Sequence, residues 1–269
     1  MYYSANSPSI RLLAKIGLSA KGVVYCLIGL FAIMAAFEVN GHSARTSDRT
    51  GVMQNLLSQP FGNIVLLLIA AGLLCYSIWR FLESLLDLSG KGSNATGIGQ
   101  RLTYFFSGLT YLSVSFFAAK TFWRNRAERE GDSYSDLSKK LLESPGGTWL
   151  LIIAALILAG IGLYQIYYGI KEKHRKHIDL QSLNFNTASI LIRAGKVGYI
   201  SRGLVWLVIA FLFFKASSHR NPEEAGDTGK AFSFIQHGPL GTYMLAAIAL
   251  GLICYGVTNF LRAFFQRGS

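Results

Sequence analysis

Residues capable of chemistry are sparse in this sequence, and their arrangement matches none of the common catalytic motifs. The sequence contains no Ser-His-Asp order, no phosphate-binding loop and no His/Cys/Asp/Glu cluster with metal-site spacing. Glu83 is the only carboxylate close to hydrocarbon depth, and a single carboxylate is weak support for acid–base chemistry. We therefore predict a protein that is not an enzyme and that holds no cofactor and no metal.

Polar or basic residues interrupt the apolar runs at two repeated positions. They are Lys21, Ser107 and Arg202 in one set, and Arg80, Gln165 and Asn259 in the other. If the six converged, they would form a cationic vestibule near the cytoplasmic helix ends, suited to an anion or a lipid headgroup. We favour the alternative, in which Lys21 and Arg202 extend to lipid phosphates. Arg80 would then pair with Glu83 one turn away.

A compact basic segment follows one of the apolar runs. It comprises Lys171, Lys173, His174, Arg175, Lys176 and His177. Basic residues just beneath a membrane attract anionic headgroups, each by about 1 kcal/mol. We predict that this cluster contacts anionic lipid headgroups on the cytoplasmic face, with an ordinary solvated loop as the alternative. Nucleic acid is not an expected partner, because the chain has no soluble basic domain with a recognisable motif.

The apolar runs themselves place the chain in the membrane class. Hydrophobic residues make up 51% and charged residues 15%, whereas soluble proteins carry about 25% charged residues. Residues 148–170 and 239–261 contain no charged residue, over a length that crosses ~30 Å of hydrocarbon. Weaker runs complete a set of six, at 22–37, 61–78, 102–119 and 197–214. We predict an all-α membrane protein with six transmembrane helices.

Internal repeats group these helices into three hairpins. The segment 15–25 resembles 196–206, and 101–111 is a diverged third copy. A Pro-x-Gly turn follows each copy at nearly constant distance, at Pro60, Pro145 and Pro239. Because each copy holds two crossings, all three enter the membrane from the same side. We predict parallel repeats with pseudo-threefold symmetry along the membrane normal. The predicted hairpins, together one membrane domain, are 1–88, 98–178 and 190–266.

Small residues recur on one face of every predicted helix, where they would let helix backbones approach closely. They are Gly22, Gly29, Gly108 and Gly203 on the first helices of the hairpins, and Ala70, Ala155, Ala249, Ser77, Gly162 and Gly256 on the second helices. We expect Gly22 to meet the Ser84 end of the second helix in its own hairpin. Part of such a stripe could instead line a functional cavity.

The connections on the outer side share one plan. Each ends in a short amphipathic segment before the Pro-x-Gly turn, with apolar residues such as Val52, Leu137 and Phe232. We predict that these segments are helices lying on the outer leaflet. The proline should occupy the first turn of the following helix.

The pattern Lys-x-Gly-x-x-x-(Lys/Arg)-Gly-x-x-(Tyr/Trp), the Gln-Pro-Phe-Gly turn at 59–62 and the three-hairpin layout resemble a bacterial membrane family, domain of unknown function 1206. The resemblance covers about 11–265, and the middle copy departs from it at Ser107 and Gly146. It implies the fold and a bacterial inner-membrane location. It implies no activity, cofactor or catalytic residue.

Charge bias predicts the orientation. The side that holds both termini carries 15 of the 26 Lys and Arg residues and most of the net positive charge. By the positive-inside rule, both termini are cytoplasmic.

The function predicted from these features is that of a non-catalytic scaffold or accessory subunit. Inverted repeats, typical of alternating-access transporters, are absent from the sequence. The alternative is a small-solute or anion channel or transporter with a polar cytoplasmic vestibule.

Overall fold

The computed structural model describes residues 8–124, 131–144, 146–177 and 185–265, whose regular secondary structure is helical. The long helices are α1 (Pro8–Ala36), α3 (Gly62–Leu85), α4 (Ala95–Arg124), α6 (Gly147–Ile170), α7 (Phe185–Ser218) and α9 (Gly241–Phe265). The shorter helices are α2 (Arg49–Leu57), α5 (Gly131–Glu143) and α8 (Thr228–Gln236). Within these described residues, six helices are long and apolar enough to cross a membrane, which confirms the predicted number of spans.

The Pro-x-Gly turns join each short helix to the next long one through a residue in the left-handed region. Phe61, Gly146 and Leu240 have φ values of 63°, 81° and 55°. The glycine that follows begins the long helix, and an added Cβ on Gly62 would collide with the Leu56 carbonyl oxygen. Before α3, the proline therefore precedes the helix by two residues. The prediction that this proline lies in the first turn of the helix is wrong, because the left-handed Phe61 separates Pro60 from α3.

The long helices follow one another around a ring. The closest packing joins successive copies of the hairpin, namely α3 with α4, α6 with α7, and α9 with α1. Within the first and third copies, α1 also packs on α3 and α7 packs on α9. In the middle copy, α4 and α6 scarcely touch. The ring therefore has a gap between α4 and α6.

Close backbone contact within the first hairpin depends on two glycines. An added Cβ on Gly17 would lie 2.5 Å from the Cα of Tyr76. An added Cβ on Gly72 would lie 2.4 Å from the Cβ of Ala20. In the third hairpin, Gly198 and Gly251 make the equivalent contacts with α9 and α7.

The middle copy lacks these glycines, and this difference accounts for the gap. Larger residues stand at the positions equivalent to Gly17, Ala20 and Gly72: Thr103, Phe106 and Ile157. Their side chains would keep the two backbones apart if α4 and α6 approached as the other pairs do. Phe106 and Ile157 consequently remain 60% and 59% exposed.

The small-residue stripes pair helices of neighbouring copies, so the predicted contact between Gly22 and the Ser84 end of α3 is wrong. An added Cβ on Gly22 would lie 2.9 Å from the Gly256 carbonyl oxygen of α9. Ser84 instead donates a hydrogen bond to the Arg101 carbonyl of α4 at 2.8 Å. Small residues show which face approaches a neighbour, but in a ring each helix has two neighbours.

The remaining stripe residues follow the same rule. The pairs are Gly29 with Ala249, Gly203 with Gly162, Gly108 with Ser77, and Ser115 with Ala70. Ala155 lies buried on the same stripe of α6. In two of these pairs a serine hydroxyl donates to a backbone carbonyl of the partner helix, at 2.8 Å to Gly108 and 2.7 Å to Ala70.

The short segments are helical, as predicted. The apolar faces of α2 and α8, however, pack against the protein and not against lipid. Val52 and Met53 of α2 and Phe232 of α8 are at most 2% exposed, because the rest of the protein covers them. Helix α8 packs on residues 44–46 of the first outer connection, as well as on α7 and α9. In α5, by contrast, Leu137 is 53% exposed.

Candidate functional site

Lys21 lies near the middle of α1 and turns into the ring. It is 5% exposed, and its Nζ donates to the Tyr76 hydroxyl at 3.2 Å. The ring centroids of Tyr76, Tyr111 and Tyr255 lie 4.9, 5.0 and 5.4 Å from Nζ. These rings belong to α3, α4 and α9. The prediction that Lys21 extends to lipid phosphates is therefore wrong, because aromatic faces inside the ring hold its ammonium.

Arg202 occupies the equivalent position in α7 and makes the same kind of contact. Its Nη1 donates to the Tyr255 hydroxyl at 2.6 Å. Its guanidinium carbon lies 4.9 Å from the ring centroid of Tyr255 and 5.3 Å from that of Tyr25. Lys21 and Arg202 thus share the ring of Tyr255, and Arg202 does not extend away from the bundle as predicted.

Arg80 connects this cluster to the ring's one acidic group. Its Nε donates to the Tyr76 hydroxyl at 2.9 Å, and its Nη1 lies 2.6 Å from a Glu83 oxygen, which confirms the predicted ion pair. The Tyr76 hydroxyl thus accepts hydrogen bonds from both Lys21 and Arg80. Glu83 also accepts a hydrogen bond from Ser89 at 2.9 Å. It is the only acidic residue in the six long helices as the structure describes them.

Two further arginines, which the sequence did not single out, extend the cluster at either end. Arg262 of α9 is 8% exposed and donates to the Tyr199 hydroxyl at 3.4 Å. Arg49, at the start of α2, donates to the Tyr25 hydroxyl at 3.5 Å. We call Lys21, Arg49, Arg80, Arg202, Arg262 and the tyrosines that they contact the cation–tyrosine cluster.

The three uncharged members of the predicted polar set lie on α9, α6 and α4. Asn259 is 1% exposed, and its amide nitrogen donates to the Tyr255 carbonyl at 2.7 Å. Gln165 lies buried on the stripe of α6 that faces α7. Its side-chain oxygen and that of Asn259 are buried without a hydrogen-bond partner among the described residues. Ser107 is half-buried on α4.

The tyrosines were missed by sequence reasoning, although the repeat carried a signal for two of them. Tyr76 and Tyr255 each precede a stripe residue, Ser77 and Gly256, at the same position in the first and third copies. The middle copy has Ile161 there. When a tyrosine recurs on the second helix of hairpins whose first helix carries a recurring basic residue, the pattern predicts a cation–aromatic contact.

The basic segment 171–177 is not one surface, because His174 is completely buried. Its Nε2 donates to the Ile192 carbonyl at 3.1 Å, and its ring fills the space beside Gly195. Burial lowers the pKa of His174 below its usual range. Lys171 and Arg175 are exposed, and Lys173 lies 4.3 Å from the ring centroid of Tyr167. The side chains of Lys176 and His177 are outside the described ones. His174 therefore belongs to the contact between α6 and α7. The prediction that it contacts lipid headgroups is wrong.

Two aspartates on the outer connections form a second polar site that sequence reasoning missed. Asp48 accepts a hydrogen bond from the Gly51 amide at the start of α2, and Asp227 accepts one from the Lys230 amide at the start of α8. Burial, and then the neighbouring Asp227 carboxylate, raise the pKa of Asp48 to about 7. Both aspartates stand at the same distance before the repeat proline, which was the available signal.

Fold and site together define a class: an all-helical, multi-pass membrane protein built from three copies of one hairpin. The chain belongs to the family described as Domain of Unknown Function (DUF1206), which matches residues 16–87, 102–172 and 197–266. These three matches confirm the internal repeat and the predicted family.

A bacterial protein resembles the chain over nearly its whole length. "Uncharacterized protein YxxB" of Bacillus subtilis (strain 168) is 27% identical over 261 residues, which cover 97% of this chain and 93% of that protein. No solved structure matches the chain.

Proposed function

We propose that this is a non-catalytic protein of the bacterial cytoplasmic membrane that binds an anionic group inside its helix ring. The observation that carries the proposal is the charge of the cation–tyrosine cluster. Among the described residues, no carboxylate lies within ion-pair distance of Lys21, Arg202 or Arg262. The Nε atoms of Arg202 and Arg262 are also buried without a hydrogen-bond partner there.

Tyrosine contacts alone do not balance the cost of burying Lys21 and Arg262 and of partly burying Arg202. Removing an ion from water costs several kcal/mol even after relaxation. A cation–π contact contributes about 0.5–2 kcal/mol. An anion with several oxygens would neutralise the charge and accept the remaining N–H groups, because guanidinium groups fit phosphate and carboxylate oxygens well.

The placement of the site follows the predicted topology. We propose that both termini are cytoplasmic and that the three hairpins are related by a pseudo-threefold axis along the membrane normal. Supporting this symmetry, the stripe contacts Gly22–Gly256, Gly203–Gly162 and Gly108–Ser77 occupy equivalent positions in the repeat. We also propose that the exposed Lys171 and Arg175 contact anionic headgroups on the cytoplasmic face.

Binding of an anion fits the structure better than a purely structural scaffold, which the sequence favoured. A scaffold gives the buried cations no role, and well-packed apolar residues in their place are often neutral or stabilising.

A second candidate function, an anion channel or transporter, is favoured by the extent of the cluster. Its contacts run from Arg49 on α2, through Lys21, to Arg80 and Glu83 near the opposite end of α3.

The proposal is tested by comparing Arg202→Met with wild type in a maltoside detergent. We expect inorganic phosphate or added phosphatidylglycerol to raise the melting temperature of wild type, since a ligand that binds only the folded state stabilises it. Arg202→Met should melt at the same or a higher temperature without ligand. It should also lose at least tenfold in apparent affinity for the stabilising probe.

Lys139→Met is the matched control, because this exposed lysine lies on α5, outside both the cluster and the basic segment 171–177. It should keep the full stabilisation at equal ionic strength. If neither probe stabilises wild type, or if Arg202→Met responds as wild type does, the proposed anion site is wrong.

A further inference from the structure

We infer that the bound anionic group is the phosphate of a membrane phospholipid, which reaches the cluster sideways through the gap between α4 and α6. The inference rests on the proposed anion site and adds the class of the ligand and its route. It follows from the gap, from the residues that line it, and from the position of the cations along α1.

The gap is the place where the ring is open to the bilayer. In the first and third copies, glycines bring the paired helices into backbone contact, whereas Thr103 and Phe106 of α4 face no such partner on α6. Ile157 and Ile161 on α6 are 59% and 39% exposed. The lining is thus mainly apolar, and hydrocarbon chains can occupy it without leaving the membrane interior.

The cluster reaches both helices that flank the gap. On one side, Tyr111 of α4 lies beneath the Lys21 ammonium at 5.0 Å. On the other side, Tyr168 of α6 lies 4.8 Å from Tyr199, whose hydroxyl accepts a hydrogen bond from Arg262. A headgroup that enters between α4 and α6 therefore meets aromatic edges and then the cations.

The depth of the cations suits a headgroup drawn into the ring. Lys21 follows the exposed Lys15 by one and two-thirds helical turns, about 9 Å along the helix axis. A phospholipid whose phosphate leaves the level of Lys15 for that of Lys21 can keep its acyl chains in hydrocarbon while its phosphate gains several donors.

Lipid fits the gap better than another protein helix. Helices that associate within membranes favour small residues at their contact. Small residues line the close helix contacts seen among the described residues, whereas Phe106, Ile157 and Ile161 line the gap.

The test is a variant that closes the gap by restoring the pattern of the first hairpin. Thr103→Gly, Phe106→Ala and Ile157→Gly together copy Gly17, Ala20 and Gly72. The probes are dodecyl maltoside micelles containing phosphatidylglycerol, the same micelles with phosphatidylcholine, and inorganic phosphate. We expect phosphatidylglycerol to raise the melting temperature of wild type more than equimolar inorganic phosphate does. The triple variant should lose at least fivefold in apparent affinity for the lipid and keep its response to phosphate.

Thr103→Trp provides a second test that does not require the middle hairpin to repack. Thr103 is exposed, so the variant should fold, and the indole should obstruct the gap. Native mass spectrometry should then find phosphatidylglycerol retained by wild type and at least fivefold less by Thr103→Trp.

Three results would overturn the inference. If inorganic phosphate stabilises wild type as strongly as the lipid does, the ligand is a soluble anion, and the anion site itself still stands. If lipid binding persists in both gap variants, the lipid does not use this route. If wild type is a dimer that the triple variant converts to a monomer, a second copy of the chain occupies the gap.

Discussion

The protonation of Asp48 depends strongly on the residues that surround it in the folded protein. As the first residue before α2, an aspartate is expected to be charged and to cap the helix. The fold covers it to 7% exposure and places a second helix-capping aspartate, Asp227, beside it. Both effects disfavour the charged form, so the folded protein holds a proton on Asp48 at pH values where the unfolded chain has released it.

This shift predicts a pH-dependent contribution to stability. Because the folded state has the higher pKa, about 7, the contribution of Asp48 is greatest below the ordinary carboxyl pKa and is lost as pH rises to 7. Asp48→Asn keeps an oxygen to cap α2 but cannot ionise. Its melting temperature relative to wild type should therefore increase between pH 5 and pH 8.

Asp87→Asn is the contrasting control, because amides of Lys91 and Gly92 lower the pKa of that carboxyl. Its melting temperature relative to wild type should stay constant between pH 5 and pH 8, because a carboxyl with a lowered pKa is ionised in both the folded and the unfolded state over that range. If the melting temperature of Asp48→Asn relative to wild type does not rise between pH 5 and pH 8, the raised pKa of Asp48 is wrong.

Helices of this ring are held together by backbone approach at small residues, and the three copies use the same positions with different partners. Gly22 packs against Gly256, while Gly203 packs against Gly162. The middle copy lacks the glycines that bring the two helices of one hairpin into contact, so α4 and α6 stay apart. Residue size at a few positions thus decides which pairs of helices close.

Enlarging either stripe glycine should therefore loosen the ring. An added Cβ on Gly203 would lie 2.7 Å from the Gly162 carbonyl oxygen, and a leucine there must push α6 and α7 apart. We expect Gly22→Leu and Gly203→Leu each to cost about 1–3 kcal/mol of stability, measured as a lower melting temperature in detergent.

Gly160→Leu is the matched control, because Gly160 lies in the middle of α6 with open space around it. Leucine there should leave the melting temperature unchanged or slightly higher, since leucine favours helix more than glycine does. Equal melting temperatures for Gly22→Leu, Gly203→Leu and wild type would mean that the stripes do not hold the ring together.

At the scale of the whole molecule, the orientation of the chain in the membrane decides which leaflet lies nearer to the proposed anion site. Exposed positions on the two sides can report that orientation. Lys139 on α5 should be outside, and Arg175, after α6, should be inside.

The measurement uses single cysteines in a chain whose native Cys26, Cys75 and Cys254 have been replaced. A membrane-impermeant maleimide should label Lys139→Cys in intact spheroplasts, and should label Arg175→Cys only after lysis. The reverse pattern would invert the proposed orientation.

The sequence by itself determined the six crossings, the three hairpins and the positions of close helix contact. Each of these depends on local quantities: the length of an apolar run, the interval between Pro-x-Gly turns, and the size of side chains along one helix face. The ion pair between Arg80 and Glu83 belongs to this group, because residues three apart on a helix are neighbours wherever the helix lies.

Only the tertiary structure decided which neighbour each face meets and whether the bases turn inward. Gly22 could pack on either adjacent helix, and Lys21 could reach either lipid or the centre of the ring. These choices depend on residues far apart in the chain: Tyr76 and Tyr255, which hold Lys21, and Asp227, which acts on Asp48. A periodic pattern identifies a face of a helix, but the burial of a charge depends on every helix that surrounds it.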